Sequence, residues 1–363
     1  MDLCCSRCQQ KQPLDTLKWR CECGGLFEIA ERVSFSREAI ARDRPTLWRY
    51  RAMLPIQNDA NIISLGEGFT PLVPVQLYGP PVLCKLDFLT PTGSFKDRGA
   101  AVLVSALREM GVAEVVEDSS GNAAASLAAY CARAGIHARI FVPAHASPAK
   151  LAQISVYGAE LVAVEGTRES AAEAAQQAAE TAYYASHNYS PFFLEGTKTF
   201  AYEVWEHLDG RVPHNVILPF GNGSLLMGAY RGFQDLVEAG LVERSPRLFA
   251  VQARACAPLY EAYRRGQDSP LPVTPGETIA EGIRVALPSH GEQALSAIRE
   301  TEGAVLVVDD SEIGNARAML ARVGLYVEPT SAAAVAALMK LDKVIDAGQI
   351  TVVGLTGSGL KSP

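Results

Sequence analysis

PVLCKLDFLTPTGSFKDRGAAVLVSALREMG, residues 81–111, reads as a strand, a turn and a helix in immediate succession. The apolar run at 81–86 has the length of a buried strand, and Ala100, Ala101, Val102, Val104, Ala106 and Leu107 fill the core-facing positions of a helix. Pro91, Gly93 and Ser94 between them are turn residues. Lys96 then stands at the mouth of the helix, where backbone N–H groups and the helix dipole favour anions rather than a cation. Taken alone, it would be a surface lysine pairing with Asp97.

The same alternation runs on in both directions. VAEVVED, HARIFV, AELVAV, NVILPF, RLFAVQ, AVLVVDD and ITVVGLT read as strands, and helical patterns such as GNAAASLAAYCARAG, GSLLMGAYRGFQDLVEAG and EIGNARAMLARVG lie between or after them. Strand–helix repetition on this scale predicts parallel sheets with right-handed crossovers, an α/β architecture. Ligands in such sheets gather where strands end and helices begin.

With 363 residues the chain has room for two domains, each with its own core, and a small appendage. Its formal net charge of -7 argues against nucleic acid or a polybasic membrane contact as partner. No apolar run reaches transmembrane length, and MDLCCSRC lacks the apolar stretch of a signal peptide, so a cytoplasmic location is expected. Cys84, Cys131 and Cys256 sit in apolar contexts and read as small buried hydrophobes. Cys4, Cys5, Cys8, Cys21 and Cys23 instead crowd the start. Cys5 and Cys8 on one knuckle with Cys21 and Cys23 on another can close a tetrahedral zinc site, organising residues 1–34 as a zinc-ribbon-like module. Cys4 can replace Cys5 in that set, and a metal-free ribbon with unligated thiols is the other reading.

Four strand-to-helix turns carry unusual residues: PTGSFKDRGA; DSSGNAAAS with Ser119, Ser120, Gly121 and Asn122; PFGNGSLLMG with Gly221, Asn222, Gly223 and Ser224; and LTGSGLK at 355–361. A glycine-rich turn opening a helix offers N–H groups and a dipole to an anion, typically phosphate, although GNGS by itself is also an ordinary helix cap. Two such turns together with a lysine suit an aldehyde cofactor bearing a phosphate. A lysine near dipolar charge loses its proton more readily, and the neutral amine forms a Schiff base.

PTGSFKDRG resembles the cofactor-binding segment of threonine synthases, within fold type II of the pyridoxal phosphate enzymes, the tryptophan synthase β-like group. GEGFTPL, SSGNAAAS, LEGTKTFAYE, FGNGSLLMG, EPTSAAA and TGSGLK follow the family in order over essentially the whole chain. The resemblance implies a large cofactor domain formed by 35–98 and 205–363, a small α/β domain at 99–204, each a three-layer parallel-sheet fold, and pyridoxal 5'-phosphate as cofactor. It implies that Lys96 holds the cofactor and shuttles protons, that Asn122 bonds its phenolic oxygen, that Gly221, Asn222, Gly223 and Ser224 cradle its phosphate, and that Thr356 meets its pyridine nitrogen. Ser119, Ser120, Gly121, Asn122 and Ala123 would hold the substrate carboxylate. A homodimer is expected from the same resemblance.

Three positions depart from the family. Where many members read STGNT, this chain has Ala123; where NSxNPxRLEG is common, it has HNYSPFFLEG, with Asn188 and Phe193 in place of a serine and an arginine that hold the substrate's phosphate. Arg168, Lys198 and Arg284 are the cations available to compensate. TIAEGIRVALP at 278–288 resembles part of the threonine and serine dehydratases. The expectation is therefore α,β-elimination of ammonia-lyase type, or elimination followed by addition, on a small unphosphorylated L-amino acid. True threonine synthase activity on O-phospho-L-homoserine and a catalytically idle cofactor-binding relative are the alternatives. His187 and His290 are read as loop residues with no assigned role.

Overall fold

The computed structural model describes residues 2–146, 148–341, 344–346 and 348–362, with backbone alone for 148–150. Its strands, in chain order, are β1 (Asp2–Cys5), β2 (Lys11–Pro13), β3 (Phe27–Ile29), β4 (Leu72–Val75), β5 (Val82–Lys85), β6 (Glu114–Glu117), β7 (His137–Pro143), β8 (Glu160–Val164), β9 (Tyr183–Tyr184), β10 (Asn215–Pro219), β11 (Arg247–Ala253), β12 (Ala304–Val308) and β13 (Thr351–Gly354). Contacts divide the chain into two units, Met1–Glu67 with Lys96–Thr197 and Gly68–Phe95 with Lys198–Pro363.

In the first unit a four-stranded sheet, ordered β8-β7-β6-β9, is parallel throughout. The helix Lys96–Glu109 contributes Ala100 to Val104, Ala106 and Leu107 to a single core, together with Tyr130 and Ala124, Ala125, Ala128 and Ala129 of the helix Asn122–Ala134. Alanine gives that second helix high propensity at no side-chain entropy cost. Gly135 ends it in the left-handed region, at φ +73, with its N–H on the carbonyls of Ala132 and Cys131.

The cysteine-rich start forms a three-stranded antiparallel sheet, β2-β1-β3. It does not stand apart as a 1–34 module. Leu3, Phe27 and Ile29 are buried in the same core as Trp48 and the helix Lys96–Glu109. Trp19 sets itself edge-on to Tyr184 and Tyr189, with ring centroids 5.3 and 4.7 Å apart. So short a sheet cannot bury a core of its own and borrows one. Residues 35–67 likewise cluster with the first unit rather than with the larger one.

The second unit holds a six-stranded sheet, β12-β11-β10-β13-β5-β4. It is not purely parallel, since the edge strand β4 runs antiparallel to β5. A short connection from 76 to 81 can only turn the chain back on itself, and Pro74, which lacks an N–H, is tolerated because β4 is an edge. At the centre, every residue of β10 is buried. The unit begins again at Lys198 instead of 205 because the helix Thr199–His207 is bound into it. Glu203 of that helix accepts from Lys85 Nζ at 2.6 Å and from the N–H groups of Phe69 and Thr70 at 2.6 and 3.2 Å. Lys198 pairs with Asp235 at 3.3 Å. Among the described residues no helix is long and apolar enough to cross a membrane.

Candidate active site

In the first unit, Lys96 is the opening residue of the helix Lys96–Glu109. The Asp97 carboxylate is not at the surface: it is fully buried and accepts from Ser126 Oγ at 2.6 Å, which ties the start of this helix to the helix Asn122–Ala134. Two glycines bring the helix Pro191–Thr197 against it. A Cβ on Gly196 would lie 2.0 Å from the Arg98 carbonyl oxygen, and one on Gly99 would lie 2.5 Å from the Phe193 ring. Phe193 is thus a buried wedge between two helices, and its ring centroid is 5.7 Å from Lys96 Nζ.

The turn at 118–122 leaves the C-terminal end of β6 and opens the helix Asn122–Ala134. Ser119 Oγ accepts from the Gly121 N–H at 3.2 Å, while Ala123 is buried and Gly121 exposed. Asn188 is half-buried, its Oδ1 enclosed without a hydrogen-bond partner, and its N–H reaches Ser186 Oγ at 3.4 Å. Beside this turn is a pair for which sequence reading assigned nothing: Glu117 Oε1 lies 2.9 Å from His187 Nδ1. Nothing local in the sequence joins them, because 70 residues separate a strand end from a loop.

In the second unit, β10 ends at Pro219 and the helix Ser224–Glu238 begins after the glycine turn. Gly223 is the N-cap, at φ +97, so no side chain occupies the first turn's N–H groups. A Cβ here would meet the Phe220 ring at 3.0 Å, and one on Gly221 would meet the Gly282 carbonyl oxygen at 2.8 Å. Asn222 faces away from the turn's amides, its Oδ1 accepting from Ser289 N–H and Oγ at 3.3 Å each.

Thr356 is buried after β13, its Oγ1 3.1 Å from Ser331 Oγ. Ser331 also accepts the Thr356 and Gly357 N–H groups at 2.8 and 2.7 Å, so EPTSAAA and TGSGLK are one assembly. That assembly also grips the segment before the lysine: Phe95 N–H donates to the Thr356 carbonyl at 2.9 Å, Ser358 N–H to the Gly93 carbonyl at 2.9 Å, and Lys361 Nζ to the Thr92 carbonyl at 2.8 Å. Residues 92–95 of the second unit are thus held by the turn expected to meet the pyridine ring.

These residues fit pyridoxal phosphate. Within the second unit, a glycine turn in which a Cβ at Gly221 or Gly223 would collide with its packed neighbours, and a hydroxyl held by Ser331, suit its phosphate and ring nitrogen; within the first, Lys96 offers an amine for its aldehyde.

The cysteines also meet. The thiols of Cys5, Cys8, Cys21 and Cys23 lie within 4.8 Å of one another, with Cys5–Cys23 at 3.4 Å and Cys8–Cys21 at 3.6 Å. A tetrahedron with Zn–S bonds of ~2.3 Å has edges of ~3.8 Å, so the set fits zinc. Cys4 is turned away to Gln9 and lies outside that cluster, which Cys5 joins. Burial raises the Cys5 thiol, but the backbone N–H groups of Cys8 and Arg7 and the neighbouring thiols outweigh it and bring it down to about 6.

Residues 63–357 match the family model for pyridoxal-phosphate dependent enzymes. A threonine synthase of Methanocaldococcus jannaschii is 37% identical over 374 residues, covering 99% of this chain and 92% of that protein. This chain belongs to the threonine synthase family of pyridoxal phosphate enzymes. A second family relative, a threonine synthase of Synechocystis sp., is 36% identical across 90% of this chain and 86% of its own. Among solved structures, a threonine deaminase from T.th. is similar at a TM-score of 0.67 and 26% identity, covering 80% of this chain and 92% of that one. Maize serine racemase, at a TM-score of 0.69 and 24% identity over 80% of this chain and 88% of its own, shares the fold. The chain is therefore a fold type II pyridoxal phosphate enzyme, and the reading as an idle relative is set aside.

Proposed function

We propose that this enzyme is a threonine synthase, converting O-phospho-L-homoserine and water to L-threonine and phosphate. One observation carries the reading: identity to proteins named threonine synthase extends over 99% of the chain, not over the cofactor-binding core alone. This reverses the sequence-based preference for an unphosphorylated substrate. That preference leaned on Phe193 standing where a phosphate should rest. A ring wedged on Gly99 is a packing residue, and its apolar character says little about the substrate.

In this reading Lys96 holds the cofactor and moves protons at the substrate's Cα and Cβ. The 119–123 turn takes the substrate carboxylate, and Asn122 bonds the cofactor's phenolic oxygen. The 221–224 amides receive its phosphate, and the Thr356 hydroxyl meets its ring nitrogen without enforcing a protonated ring. The cofactor, when bound, supplies the electron sink for carbanion chemistry. Cys5, Cys8, Cys21 and Cys23 would hold one structural zinc, testable as one equivalent of metal per chain. A cytoplasmic homodimer completes the reading.

A second reading keeps one specific support. Ala123 is buried and apolar at a position where family members carry a phosphate-binding threonine, which favours elimination from an unphosphorylated amino acid. Assay of the cofactor-loaded enzyme separates the two. Phosphate release with threonine formation from O-phospho-L-homoserine supports the first. An intact cofactor spectrum with no turnover, but ammonia and 2-oxo acid from L-serine or L-threonine, supports the second.

A further inference from the structure

Glu117 closes β6 and is fully buried. Its Oε1 meets His187 Nδ1 at 2.9 Å, while its Oε2 has no hydrogen-bond partner. A half-satisfied carboxyl in the interior is costly, so an occupied role is the reason to retain it. His187 is itself buried and packs edge-on against Phe193, centroids 5.8 Å apart, and the same ring is 5.7 Å from Lys96 Nζ. All four residues belong to the first unit.

The pair has a simple proton count. If Glu117 is neutral, its O–H donates to Nδ1 and the neutral ring must carry its hydrogen on Nε2. If the proton has crossed to the ring, the imidazolium carries hydrogens on both nitrogens. Either placement leaves an Nε2–H donor. Only loss of the shared proton, leaving a carboxylate that accepts from Nδ1–H, strips Nε2. Burial pushes the Glu117 carboxyl well above the usual carboxylate range and Asp118 adds to it, while Lys96, Arg168 and the His187 backbone N–H pull it back. Asp118 is in turn held by the Tyr184 hydroxyl at 2.6 Å.

We propose that Glu117 is a positioning residue that fixes His187 as an Nε2–H donor, and that this donor receives the phosphate leaving group of the substrate. The role rests on the threonine synthase reading. It would replace the serine and arginine that the chain lacks at Asn188 and Phe193.

The test uses cofactor-loaded enzyme, O-phospho-L-homoserine as substrate and inorganic phosphate as inhibitor. His187→Gln should lower kcat/KM by about 30-fold and weaken phosphate inhibition in proportion, with the visible cofactor band unchanged, as expected for one charge-assisted hydrogen bond. Glu117→Ala should do the same. Glu117→Gln should recover most of the loss, because an amide N–H can also donate to Nδ1. The pH profile carries the decisive sign. A carboxyl raised above its ordinary value keeps the donor in place at lower pH and loses it as pH rises through the raised value. Wild type should therefore show an alkaline limb that Glu117→Gln removes. If wild type turns over and His187→Gln leaves both kcat/KM and phosphate inhibition unaffected, or if the alkaline limb persists in Glu117→Gln, this role alone is overturned. Absence of wild-type turnover overturns the threonine synthase reading, and this role with it.

Discussion

The turns at Gly121 and Gly223 look alike in sequence, each a glycine and a polar residue opening a helix, yet the structure gives their glycines opposite reasons to exist. Gly223 sits at φ +97, and a Cβ there would meet Phe220 at 3.0 Å and His290 at 3.1 Å. Gly121 has no positive φ, and nothing lies within 4 Å of where its Cβ would be. In the proposed reading the second unit therefore binds with backbone whose shape is enforced by packing. In the same reading the first unit carries its chemistry in side chains: Lys96, Asn122, His187 and the half-satisfied Glu117. A helix start used as an anion cradle has to keep side chains out, whereas a site that moves protons has to let them in.

Four experiments probe that contrast, in decreasing order of effect. Lys96→Ala should reduce turnover by roughly a thousandfold or more and abolish the visible band of lysine-bound cofactor, since in the proposed reading both the anchor and the general base go. A retained band would mean that the first unit's chemistry does not depend on this side chain. Lys85→Met should lower stability by about 3–5 kcal/mol in urea unfolding, because it strands the buried Glu203 carboxylate. A change under ~1 kcal/mol would show that the second unit does not rely on the pair. Gly223→Ala should weaken cofactor binding by about 10- to 30-fold, equivalent to roughly 1–2 kcal/mol for a side chain forced into the left-handed region. Gly121→Ala should change substrate KM by less than ~3-fold, as space is available. Equal effects at both glycines would break the comparison.

Much of the architecture was legible because its signals are local. Apolar runs of strand length marked β5–β8 and β10–β13, and the helix starts at Lys96, Asn122 and Ser224 fell where turn residues stopped. The edge strand β4 and the two-residue β9 were missed, being too short or too interrupted by proline to show a period. The division into units shifted for a similar reason: Glu203 and Lys198 look like ordinary helix residues until their partners Lys85 and Asp235 are known.

The family could be read from the chain before folding, as could the candidates for cofactor lysine and anion-binding turns, because each is a run of consecutive residues whose chemistry is legible in one dimension. Three other facts needed the folded molecule: Phe193 is a wedge against Gly99, Cys5 rather than Cys4 joins the thiol cluster, and Glu117 meets His187. Each of those is a distance between residues that the chain alone does not bring together. Burial acts through such distances, and it turns a phenylalanine into packing and an ordinary carboxyl into a proton holder.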